Sequence, residues 1–90
     1  MSVRIRVHPV LQELAKSHDV VEAEGRNVEE CLWDLGRKFP GTAENIFDGS
    51  GKLLKHVEIF VNGKPAFPNE LATILTDRDE LSILMLLAGG

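Results

Sequence analysis

The chain ends in Leu86-Leu87-Ala88-Gly89-Gly90, and its terminal carboxylate is the group best placed to react. Two residues without a Cβ make a thin, pliable tip that can thread a tunnel any larger side chain would block. At roughly 3.3 Å per residue the stretch from Leu86 reaches about 16 Å. That length carries the Gly90 carboxylate into another protein's active site while a folded body stays outside. The other groups capable of chemistry are sparse. Cys31 is the single cysteine, so it can form neither an internal disulfide nor a four-thiolate cluster. His8, His18 and His56 show no metal-ligand spacing and read as surface or boundary histidines. No side-chain set suggests a catalytic site of the chain's own.

Composition narrows the partners. The 90 residues carry 14 acidic and 10 basic side chains, a formal net charge of −4, and the longest basic run is Arg37-Lys38. A nucleic-acid binder needs a basic surplus to neutralise phosphates, so nucleic acid is not expected as a partner. No stretch approaches the roughly 18 unbroken apolar residues of a membrane span, and no membrane partner is expected. Met1-Ser2-Val3-Arg4-Ile5-Arg6 alternates charge and apolarity where a signal peptide would be continuously apolar. A complete cytoplasmic protein of one small domain is the expectation, with residues 1–86 as the body and 87–90 as a flexible tail.

The body must position that tail. Val3 to His8 alternates with period two, a half-buried strand with Val3, Ile5 and Val7 inward, ended near Pro9. Residues 10–17 read as an irregular connection and 19–24 as a second strand closed by Gly25. Asn27 and Glu30 form the pattern of a capping box. After them Val28, Cys31, Leu32, Leu35 and Phe39 recur at helical spacing as one apolar stripe. That stripe gives Cys31 a buried packing role and argues against it as the reactive group. Trp33 lies off the stripe and is expected to pack under a loop, and Asp34 and Lys38 form an i, i+4 pair.

Pro40-Gly41 stops the helix. In the connection over 41–56, Ile46 and Phe47 are expected to tuck a short helical turn onto the core before the turn at Asp48-Gly49-Ser50-Gly51. Val57-Glu58-Ile59-Phe60-Val61 is a clear strand and Asn62-Gly63 a strong hairpin signal. Residues 64–67 return as a short edge strand because Pro65 and Pro68 cannot donate to a ladder. Thr76-Asp77-Arg78-Asp79 turns into a last strand over 81–86. The sum is an α+β domain, a sheet of four to five strands with one helix across one face.

Strand parity marks a candidate docking face. If Val57, Ile59 and Val61 face the helix, Phe60 faces away; if Leu81, Ile83 and Met85 face inward, Leu84 and Leu86 face out. Arg4 and Arg6 of the first strand share that outer face. Three large apolar residues rimmed by arginines exceed what a solvated sheet face needs and point to partner binding.

The strand and helix order, Ile59-Phe60-Val61-Asn62-Gly63, Asp77-Arg78-Asp79-Glu80-Leu81-Ser82-Ile83 and the terminal Ala88-Gly89-Gly90 together resemble the MoaD/ThiS family of ubiquitin-like sulfur carriers. The resemblance covers essentially the whole chain. It implies a β-grasp fold with a mixed sheet, and no catalysis or bound cofactor of its own. It further implies that Gly90 is adenylated by a ubiquitin-activating-type enzyme, converted to a thiocarboxylate, and discharged to a sulfur-accepting synthase.

The chemistry follows. A carboxylate resists attack because the attack adds charge to an anion. Adenylation neutralises it and supplies AMP as a leaving group, which sulfide or a persulfide displaces. Gly89, Ala88 and Leu87 would form the tail that delivers Gly90. The size of the 41–56 connection is similar to that of the small subunit of molybdopterin synthase, or of relatives feeding sulfur to cysteine or other metabolites. His8-Pro9-Val10-Leu11 departs from the aromatic-rich stretch of the molybdopterin type. A second function fits the same tail: a modifier joined through Gly90 to lysines of target proteins. A plain β-grasp interaction domain with an incidental diglycine is the third.

Overall fold

The structure, a computed structural model, describes residues 2–86. Five strands form one mixed sheet in the order β2-β1-β5-β3-β4. They are β1 (Ser2–Arg6), β2 (Val20–Glu24), β3 (Val57–Val61), β4 (Lys64–Pro65) and β5 (Glu80–Met85). The central pair β1 and β5 is parallel and every other pair is antiparallel. The long helix α2 (Val28–Lys38) covers one face, while α1 is the four-residue turn Pro9–Gln12.

The helix begins where its chemistry requires. Asn27 Oδ1 accepts from the Glu30 N–H at 2.8 Å, which satisfies one orphan donor of the first turn. The Glu30 carboxylate reaches back one residue further than a capping box would, accepting from the Arg26 N–H at 2.8 Å. Val28, Cys31, Leu32 and Leu35 are buried against Val3, Ile5, Ile59, Leu81 and Ile83 of the sheet. Ile46 and Phe47 follow a 3₁₀ turn (Ala43–Asn45) and close the core from the side, as the sequence predicts.

Polar side chains of α2 tie it to the sheet edge. Asp34 accepts from the Glu24 N–H at 2.9 Å and pairs with Arg37 and Lys38 at 2.6 and 3.1 Å. Lys38 Nζ in turn donates to the Glu22 carbonyl at 3.0 Å. Both backbone groups belong to the outer edge of β2, which these contacts close.

Three expectations need correction. Residues 10–17 are not wholly irregular: the His8 Nδ1 accepts from the Val10 N–H at 3.1 Å and Pro9 occupies the first helical position, where its missing donor costs nothing. That turn buries Leu11 and Ala15. The short edge strand covers only Lys64–Pro65, although the Ala66 N–H still reaches the Ile59 carbonyl at 3.0 Å. Trp33 packs against the 41–56 connection but is not covered by it. It is 44% exposed and stacks flat on Phe47, with ring centroids 4.2 Å apart.

Candidate functional site

The outer face of the sheet is set by register. Across the central strands Arg6 lies opposite Ser82, and Ser82 opposite Phe60. The row continues to Pro65 on the edge. One row on, Leu84 lies opposite Glu58. Ile59 and Ile83, between these rows, face the helix and are buried, so the side chains alternate as the pleat demands. Phe60 is half-buried, Leu84 is 42% exposed and Leu86 59%.

Phe60 and Leu84 line a groove of about 440 Å³ together with Arg6, His8, Gln12 and Ser82. The Arg6 guanidinium is held over the sheet by Glu80 at 3.2 Å, an exposed ion pair that contributes little to stability but restricts the side chain. Phe60 also borders a second groove of about 650 Å³ on the β4 side, lined by Leu86, Phe67, Leu71, Lys52 and Lys55. Phe60 is thus the ridge between two grooves. Leu86 ends the described chain there, its N–H bonded to the His56 carbonyl at 2.7 Å.

Among the residues expected on this face, the structure brings Phe60, Leu84 and Arg6 into one groove and Leu86 into its neighbour. Arg4 stands apart, two residues along β1, beside Ser2, Glu22, Asp77 and Arg78. Phe67, 77% exposed at the second groove, escaped the sequence reading, which placed it in a strand. Leu87, Ala88, Gly89 and Gly90 lie outside the described residues.

A polar cluster joins the β3–β4 hairpin to the turn that opens β5. Asn62 adopts a φ of 51° and Gly63 one of 82°, the two left-handed residues of a tight hairpin. Asn62 Oδ1 accepts from the Glu80 N–H at 2.9 Å and its Nδ2 donates to Asp79 Oδ1 at 3.0 Å. Asp79 Oδ2 accepts from the Thr76 N–H at 2.7 Å. Bonds from the Thr76 backbone and from Asn62 hold the Asp79 carboxyl below the usual carboxylate range.

Cys31 is fully buried, and burial, aided by the Asp34 and Glu30 charges, pushes its thiol up to about 11. A thiol so placed is protonated at neutral pH and a poor nucleophile. Among the described residues no group of three or more His, Cys, Asp or Glu side chains could hold a metal ion. No helix among them is long and apolar enough to cross a membrane.

A five-stranded mixed sheet with a parallel central pair, crossed on one face by a single long helix, defines the ubiquitin-like β-grasp class. Within that class the family model of the ThiS family matches residues 5–90, and the chain belongs to this family. It is 32% identical over 93 residues to the sulfur carrier protein CysO of Mycobacterium tuberculosis, covering all of both chains. The crystal structure of that CysO superposes with a TM-score of 0.87 at 30% identity, over 94% of this chain and 99% of the other. CysO in the Amycolatopsis orientalis BexX/CysO complex gives 0.89 at 27%, over 98% and 99%. The small archaeal modifier protein 1 of Methanosarcina acetivorans gives 0.86 at 27%, over 99% and 96%.

Proposed function

We propose that the protein carries sulfur as a thiocarboxylate on Gly90. The observation that carries the reading is the family match, which runs through to residue 90 and so includes the terminal diglycine. An adenylating enzyme of the ubiquitin-activating type would join AMP to the Gly90 carboxylate. Sulfide-level sulfur would displace AMP to leave the thiocarboxylate, and an accepting synthase would take that sulfur while water restores the carboxylate oxygen. The chain acts in this scheme as substrate and small subunit, with Gly89, Ala88 and Leu87 reaching into the partner. Phe60, Leu84, Leu86 and Arg6 would make the contact of the body, and Arg4 would extend it along β1.

That CysO is complexed with BexX in Amycolatopsis orientalis supports docking of a folded carrier on a partner protein. Whole-length likeness to CysO favours a carrier of that kind, with sulfur destined for cysteine synthesis among the routes considered. Nothing in these relatives supports the molybdopterin destination that the sequence resemblance raised. The likeness to a small archaeal modifier protein favours a second reading, in which Gly90 is joined to target lysines.

Removal of Gly90 tests the proposal. ATP–pyrophosphate exchange by the cognate adenylating enzyme should be lost with the shortened chain. Exchange at the normal rate would overturn it. Intact mass measured on protein from its own cells then separates the two readings. Replacement of one carboxylate oxygen by sulfur marks a carrier, and adducts on lysines of other proteins mark a modifier.

A further inference from the structure

The contacts around Asn62 point to a modification site on the body. Asparagine followed by glycine is the sequence most open to self-catalysed deamidation, because glycine has no side chain to hinder attack by its own backbone nitrogen. Here that pair, Asn62-Gly63, forms the β3–β4 hairpin at the rim of the groove lined by Phe60 and Gly63. The Asn62 amide is gripped at both ends. Glu80 N–H can only donate, so the Asn62 oxygen must face it, which aims Nδ2 at the Asp79 carboxylate 3.0 Å away. Asp79 is itself steadied by the Thr76 N–H and hydroxyl, at 2.7 and 3.1 Å.

We infer that Asn62 is a latent deamidation site, held in check by Asp79 and Glu80 and converted when that clasp opens. In the reaction the Gly63 backbone nitrogen gives up its proton and bonds to Asn62 Cγ. The Cγ–Nδ2 bond breaks, and Nδ2 leaves as ammonia with the proton it gains. Water then opens the five-membered imide at either carbonyl, to aspartate or isoaspartate. No electrons are exchanged, and water is the co-reactant.

Attack needs the Asn62 side chain to swing toward Gly63, which breaks both grips. The product cannot re-form the clasp. The new carboxylate replaces the Nδ2 donor and confronts the Asp79 carboxylate at hydrogen-bond distance, where like charges repel. The isoaspartate form also adds a backbone methylene to a two-residue turn. That disturbs the pairs Phe60–Pro65 and Val61–Lys64 across the hairpin. Conversion therefore ages the protein two residues from Phe60, the ridge of its candidate docking face, independently of anything at Gly90.

The experiment follows Asn62 conversion by peptide mapping during incubation at mildly alkaline pH. It uses the full chain, its Asp79→Ala and Asp79→Asn variants, and a free peptide of residues 59–66. Slow conversion is expected in the unaltered chain and fast conversion in the peptide. Asp79→Ala should speed conversion about threefold or more, the yield of one modest hydrogen bond. Asp79→Asn retains an acceptor oxygen and should lie nearer the unaltered chain. Amide exchange at Ile5 and Ile59 in the core separates clasp opening from global unfolding. The inference is overturned if the intact chain converts as fast as the peptide. It is equally overturned if both Asp79 variants convert no faster than the parent while their core amides stay protected.

Discussion

Phe60→Ala tests the outer face most directly, because Phe60 is an aromatic residue that borders both grooves. Complete burial of a Phe makes its truncation to Ala cost about 3–5 kcal/mol. Phe60 is half-buried, so roughly half of that, about 2 kcal/mol, is expected for folding. At about 4–8 °C per kcal/mol for a domain of this size, the melting temperature should fall by roughly 8–16 °C. The protein stays folded at room temperature. Association with the adenylating enzyme should weaken by more than about 1 kcal/mol, roughly fivefold in Kd, the mark of a contributing interface residue.

Thermal melts give the first number and titration calorimetry, run well below both melting points, gives the second. Glu44→Ala serves as the control: it lies exposed in the 3₁₀ turn that closes the core from the side, off the grooves, and should change neither. Equal affinities for Phe60→Ala and the parent would reduce the patch to ordinary surface apolarity. A folding loss near the full-burial value would refute the strand parity, since a slip of one residue exchanges the two faces.

Other outcomes follow from single features. Leu32→Ala, at a fully buried helix position, should cost about 2–5 kcal/mol by chemical denaturation, and an unmoved midpoint would contradict the assigned helix face. A Cβ at Gly25 would sit 2.7 Å from Glu30 Cβ and 2.8 Å from the Cys31 nitrogen, so Gly25→Ala should cost about 1–3 kcal/mol; Gly49→Ala, with open space around it, should be nearly neutral. Cys31 should resist thiol reagents at neutral pH until the protein is unfolded, and Cys31→Ala should still accept sulfur at Gly90, which mass spectrometry reads.

Burial alone would raise the Asp34 carboxyl, but bonds from the Glu24 N–H, Arg37 and Lys38 outweigh it and hold the group below its ordinary range. A depressed carboxyl stabilises the fold above its unfolded value of about 3.9 and loses that contribution as pH falls toward the folded value. Acid titration of Asp34→Asn should therefore show a flatter decline below about pH 4 than the parent.

The sequence made the strands and the helix legible wherever one physical requirement dominated. Alternation placed Ile5, Ile59 and Ile83 inside, and helical spacing placed Leu32 and Leu35 against them, because each periodicity answers to one buried face. Pro9 carried two meanings, a strand terminator and a favourable first helical residue, and only the His8 side chain at the Val10 N–H decides for the helix. Leu75 is fully buried although no periodic run surrounds it, since its position is set by bridges from distant residues such as the Arg26 carbonyl to its N–H at 2.8 Å.

The same contrast governs the outer face. Parity within β1 assigns Arg4 and Arg6 to one side of the sheet and treats them as equals. What distinguishes them is the parallel register of β1 on β5, which puts Arg6 opposite Ser82 and so beside Phe60, and Arg4 opposite Glu80 and beside the acidic turn. A parallel register is set by residues some 75 positions apart, such as the Ser2 N–H on Asp77, and no local pattern encodes it. Arg6→Ala should accordingly weaken partner association, while Arg4→Ala should do so less. The order of these two effects, read by the same calorimetry, tests whether the groove or merely the face is what a partner meets.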